Sequence, residues 1–124
     1  MWRIIVIIYF LFIAVLHLIP STSLPEVSFS DLFQLDKLVH AFLFAGAFLV
    51  LYKYCLQYYI KFSRFVLVII CVFYGFLMEF LQALLAQNRN GDIMDFVADT
   101  IGVLLGLYLS TKFRTWRLII KQKD

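Results

Sequence analysis

Asp36, Lys37, His40, Glu79, Gln82, Arg89, Asp95 and Asp99 combine acids, bases and amides within stretches that are otherwise strongly apolar. Residues at offsets of zero, four, seven and eleven share an arc of about 60° on an α-helix. That spacing selects Asp36, His40, Leu43 and Ala47, then Gly75, Glu79, Gln82 and Ala86, then Asp95, Asp99, Gly102 and Gly106. Each set mixes polar with small residues, so three polar stripes could face one another. Such a set supports several chemistries. Lys37 and Arg89 can meet an anionic group, Glu79, Gln82, Asp95 and Asp99 can fix those cations or bind amides and sugars, and His40 or Glu79 can exchange protons.

The elements that must carry these stripes follow from composition. The chain has 124 residues, 64% hydrophobic and 15% charged, too apolar for a soluble domain of this size to cover. Lipid is therefore the expected solvent. The net charge of +3 does not point to nucleic acid, because most basic residues flank apolar runs and read as topology signals. Cys55 and Cys71 are expected as buried thiols without a disulfide. Neither an internal repeat nor a long linker divides the chain, and residues 1–124 read as one domain.

Four hydrophobic runs, at about 2–19, 38–58, 65–86 and 93–113, predict an all-α polytopic membrane helix bundle with four transmembrane helices. The first begins like a signal peptide but lacks an Ala-x-Ala cleavage pattern before Pro20-Ser21-Thr22-Ser23, and is expected to be retained. In this threading nine of the eleven Lys and Arg residues fall on one side: Arg3, Lys53, Lys61, Arg64, Lys112, Arg114, Arg117, Lys121 and Lys123. Lys37 and Arg89 fall on the other, with most of the acids. The positive-inside tendency then makes both termini cytoplasmic and turns the polar stripes outward. Lys53 among Tyr52, Tyr54, Tyr58 and Tyr59 reads as an interfacial belt at the opposite end.

Local structural roles compete for some of these residues. Asp92 directly precedes the fourth run and suits an N-cap, Asp95 stands where a capping box is completed, and Asp36 could cap the second helix. Lys37 could reach lipid phosphate, and His40 could be an interfacial hydrogen-bonding residue. Asn88, Asn90 and Gly91 suit a turn. His17, outside the three stripes, is expected to pack at the interface. Glu79 and Asp99 lie too deep for capping. A carboxylate at a helix centre costs about 2.5–3.5 kcal/mol on insertion scales, so each requires a partner or a proton.

The series Asp36-Lys37-Leu38-Val39-His40, Gly75-x-x-x-Glu79-x-x-Gln82, Arg89, Asp95, Asp99 and Gly102 resembles the pattern of the VanZ-like family of small bacterial membrane proteins. The family takes its name from a member linked to resistance against the glycopeptide antibiotic teicoplanin. The likeness runs from Asp36 to Gly106 and departs at two places. Asp99 stands where the family typically has Asn, adding a carboxylate, and the interval from Gln82 to Arg89 is one residue longer. The resemblance implies a multi-pass protein of the bacterial cell membrane and envelope.

The leading expectation is an outward polar pocket, formed by Asp36, Lys37, His40, Glu79, Gln82, Arg89, Asp95 and Asp99, that binds a lipid-linked or glycopeptide-type amphiphile and affects glycopeptide susceptibility. Membrane lipid is its expected partner. Neither a metal nor a cofactor is expected. An enzyme acting on a lipid-carrier phosphate or ester is the alternative, with His40 or Glu79 as acid or base and the acids holding a divalent ion. A proton-coupled carrier subunit is a further one, and four helices would then call for a homo-oligomer.

Overall fold

The structure, a computed structural model, describes the backbone over residues 1–18, 29–85 and 93–121 and the side chains over 1–18, 35–85 and 93–112. Four helices make up the bundle: α1 (Trp2–Leu18), α2 (Phe29–Gln57), α3 (Arg64–Leu85) and α4 (Ile93–Lys121). Among the described residues there is no strand. The segments Leu35–Gln57, Arg64–Leu85 and Ile93–Lys112 are long and apolar enough to cross a membrane, and α1 is a shorter apolar helix.

Two boundaries correct the sequence reading. Helix α2 starts at Phe29, nine residues before the expected Leu38, so Asp36 stands inside a helix and is not its N-cap. Phe29, Leu32, Phe33 and Leu35 supply apolar residues at helical spacing, but the intervening Ser30, Asp31 and Gln34 interrupt the run and hide it. Helix α4 continues past Phe113 to Lys121, through the basic residues Arg114, Arg117 and Lys121.

Successive helices run antiparallel, which makes α2 parallel to α4 and α1 parallel to α3. Contacts between α2 and α4 advance together along both helices, from Lys37 with Asp95 to Ala45 with Gly106. This pair packs most extensively because small residues line it. A Cβ at Gly102 would collide with the Ala41 carbonyl, and one at Gly106 would lie 2.7 Å from the Ala45 oxygen. Helix α1 is tied across by the Tyr9 hydroxyl, which donates to the Leu43 carbonyl at 3.0 Å, and by Tyr74, which donates to Phe10 O at 2.6 Å.

The core holds Ile13, Phe44, Ala47, Phe48, Leu67, Cys71 and Val103, while Ile4, Ile7, Ile8, Leu11, Phe42, Phe73, Leu84 and Ile101 are exposed. An apolar exterior of this extent suits lipid rather than water. Cys55 and Cys71 are both buried free thiols. Between α2 and α3 the chain reverses through a Schellman motif. Ile60 N–H donates to Cys55 O at 2.9 Å and Tyr59, at φ 54°, takes the left-handed position usually given to glycine. Ser63 then caps α3, its hydroxyl accepting from Val66 N–H at 3.2 Å. Around this end Arg3 lies over Tyr58, Lys53 over Trp2 and Arg64 over Tyr52, forming the expected aromatic and basic belt.

Candidate functional site

At the opposite end, the C-terminal parts of α1 and α3 meet the spanning starts of α2 and α4. The three polar stripes turn inward there: His40, Glu79, Gln82, Asp95 and Asp99 are all buried, and the small residues beside them bring the backbones together. Asp99 lies six residues into α4 and Glu79 six residues before the end of α3, each about 9 Å along its helix at 1.5 Å per residue. The two acids therefore sit at matching depth on antiparallel helices. Gly75 makes room for one of them, since a Cβ there would come within 3.2 Å of Asp99 Oδ2.

Asp99 is fully buried and organises the floor. Its Oδ1 lies 2.9 Å from His40 Nδ1, a charge-assisted hydrogen bond donated by the ring when Asp99 is ionised. On the other face of His40, Nε2 lies 3.8 Å from Asp36 Oδ1, one turn earlier on α2. The imidazole is thus held between a buried and a half-exposed carboxylate. This corrects the reading of His40 as an interfacial residue only.

Lys37 and Asp95 form an ion pair between α2 and α4. Asp95 accepts from Lys37, so its carboxylate serves a tertiary contact, and Lys37 reaches into the bundle rather than only toward lipid phosphate. Side-chain exposure falls from Asp36 to Asp99. The Asp36 side chain is 40% exposed and Lys37 18%, against 5% for Asp95 and 1% for Asp99.

His17 is the residue that sequence reasoning missed. It is buried, its ring meets that of His40 edge-on at 4.6 Å between centroids, and its Nε2 lies 4.0 Å from Glu79 Oε1 and 3.9 Å from Asp99 Oδ2. Its Nδ1 lies 2.9 Å from the Ile13 carbonyl. A carbonyl can only accept, so Nδ1 carries the hydrogen and Nε2 of the neutral ring presents a lone pair. Gln82 fixes the same turn from α3, its Nε2 donating to His17 O at 2.9 Å. The signal was present in α1: Phe10, Ile13 and His17 stand at offsets of zero, three and seven, one helical face. A histidine on that face of an apolar helix points into the bundle.

The structure therefore brings together Asp36, Lys37, His40, Glu79, Gln82, Asp95 and Asp99 and adds His17. Arg89, Ala86, Asp92 and the turn residues Asn88, Asn90 and Gly91 lie outside the described residues. Among the described side chains the cluster has four carboxylates against the single ammonium of Lys37. His17 Nε2 and Asp99 Oδ2 are buried with no hydrogen-bond partner among the described residues. Such an arrangement can take up protons, a cation, or the donor groups of a ligand.

A family model described as VanZ/LLP1 matches residues 4–115. No curated protein matches the chain. No solved structure matches it either.

Proposed function

Because this chain belongs to the VanZ/LLP1 family, we propose that it is a multi-pass protein of the bacterial cell membrane whose polar cluster receives the head group of an anionic amphiphile. The single observation that carries this reading is the graded cluster itself. A cation, Lys37, is held by Asp95 at a half-open mouth, above buried donors and acceptors that deepen to Asp99. Lys37 and Arg89 meet the phosphate or carboxylate of the ligand, Asp36, His40 and Asp95 meet its sugars or amides, and Asp99 holds His40 from below. Glu79 and Gln82 hold the floor in shape.

In this proposal α1 is the fourth span. Its seventeen residues reach about 26 Å at 1.5 Å per residue, near the lower limit for crossing hydrocarbon. Both termini are cytoplasmic, by the distribution of Lys and Arg, and the cluster faces outward. There it meets lipid-linked envelope precursors and glycopeptide-type amphiphiles, which connects it to glycopeptide susceptibility.

Binding of a polyprenyl phosphate and of teicoplanin to protein reconstituted in nanodiscs tests the proposal. Lys37→Ala and Arg89→Ala should each weaken binding by about tenfold, the loss of one charge-assisted contact. Unchanged affinity in both would overturn it. A second reading, hydrolysis of a lipid-carrier phosphate or ester, draws on His40 standing between Asp36 and Asp99 as an acid–base group would. Phosphate or alcohol release that disappears in His40→Gln would favour it over binding alone.

A further inference from the structure

The floor of the cluster holds more coordinating chemistry than head-group recognition needs. His17, His40, Glu79 and Asp99 each offer a donor atom, and these atoms all lie within 4.8 Å of one another. We infer that this floor is a binding site for a divalent transition-metal ion, with His17 Nε2, Glu79 Oε1 and Asp99 Oδ2 as its ligands.

His17 supplies the first argument. The Ile13 carbonyl takes the hydrogen on Nδ1, which leaves the Nε2 lone pair directed at two carboxylate oxygens 4.0 and 3.9 Å away. These distances are too long for hydrogen bonds. They are close to what an intervening ion requires. Bonds of about 2.0–2.2 Å to nitrogen and oxygen separate two ligands by about 3.4 Å at a tetrahedral angle and by about 4 Å as the angle opens. Shifts of a few tenths of an ångström in side chains would close the site.

The supporting contacts have the form that metal centres use. A ligating histidine characteristically gives its second N–H to a backbone carbonyl or carboxylate, as His17 does to Ile13. Asp99 receives His40 on Oδ1, which leaves Oδ2 toward the ion and makes His40 a positioning residue. The Gln82 bond to His17 O fixes the turn from which the imidazole projects.

One imidazole with two carboxylates favours Zn²⁺, Mn²⁺ or Fe²⁺ over soft Cu(I), and over the all-oxygen sites of Ca²⁺ and Mg²⁺. Three protein ligands leave a coordination position that water or a ligand oxygen can fill. Metal binding does not depend on the proposed amphiphile, and either can be present without the other.

The test uses the full chain purified in detergent, stripped with chelator and titrated with Zn²⁺ and with Co²⁺ in the absence of any amphiphile. One ion per chain is expected, with visible Co²⁺ bands typical of mixed nitrogen and oxygen ligation. His17→Gln and Asp99→Asn should each weaken Zn²⁺ binding on the order of tenfold or more, and His40→Gln should shift the Co²⁺ bands while retaining the ion. Cys71→Ser should bind as the parent does, which excludes the buried thiol as the ligand. Absence of a stoichiometric ion in helical, monodisperse parent protein would overturn the inference. So would equal affinity in the parent and in folded His17→Gln or Asp99→Asn. The Co²⁺ spectrum of the parent decides the matter even where a variant does not fold.

Discussion

Asp99 carries the heaviest structural demand of any single residue, because one carboxylate serves His40 and faces His17 at full burial. Removing its acceptor while keeping its volume leaves His40 Nδ1–H buried without a partner. In metal-free detergent Asp99→Leu should therefore lower the free energy of unfolding by about 1–3 kcal/mol, whereas Asp99→Asn keeps an acceptor and should cost under about 1 kcal/mol. Gln82→Leu removes the bond to His17 O, and a loss of about 1 kcal/mol is expected in the same denaturation series. The polar identity of these positions was legible in sequence because charge inside an apolar run is conspicuous. Their pairings were less so. Asp95 with Lys37 and His40 with Asp99 span 58 and 59 residues, and the offsets that place each residue on a face do not say which neighbour it meets.

Helices were readable where apolar periodicity was continuous and misread where it thinned. The start of α3 was one residue from expectation, while α2 gained a whole amphipathic beginning whose acids hid it. That extension changes Asp36 from a terminal cap to a side chain one turn from His40. His17 was overlooked for a related reason: the polar-and-small pattern used to find faces has only one polar member on α1, whose other inward residues are apolar. Small residues were the more informative signal for packing, since Gly102 and Gly106 mark where α4 touches the backbone of α2. Gly102→Val should force these helices apart and cost about 1–3 kcal/mol in thermal or denaturant unfolding. Ile101→Val on the exposed face of the same turn should change stability by less than about 0.5 kcal/mol.

The bundle as a whole is polarised. Cations stacked on aromatic rings gather at the end where α2 passes to α3, and the carboxylate and histidine cluster occupies the other. The orientation proposed from this polarity has a direct check. In a Cys55→Ser, Cys71→Ser background, Asn90→Cys should react with a membrane-impermeant maleimide added to intact cells, and Lys123→Cys should react only after permeabilisation. The reverse pattern would turn the cluster toward the cytoplasm and remove envelope amphiphiles from its reach.

The parallel pairing of α2 with α4 has a consequence for biogenesis. Two parallel helices cannot form a hairpin, so the nascent chain must deliver α2, reverse through Tyr59 and Ser63, and complete α3 before Asp95 and Asp99, which answer Lys37 and His40 from α4, are synthesised. Until Asp95 and Asp99 leave the ribosome, α2 carries Lys37 and His40 without the acids that α4 supplies, while Asp36 already stands one turn from His40. The pairs between α2 and α4 therefore form only after α3 is complete. A chain whose translation stops after α3 lacks both acids and leaves Lys37 and His40 without their α4 partners.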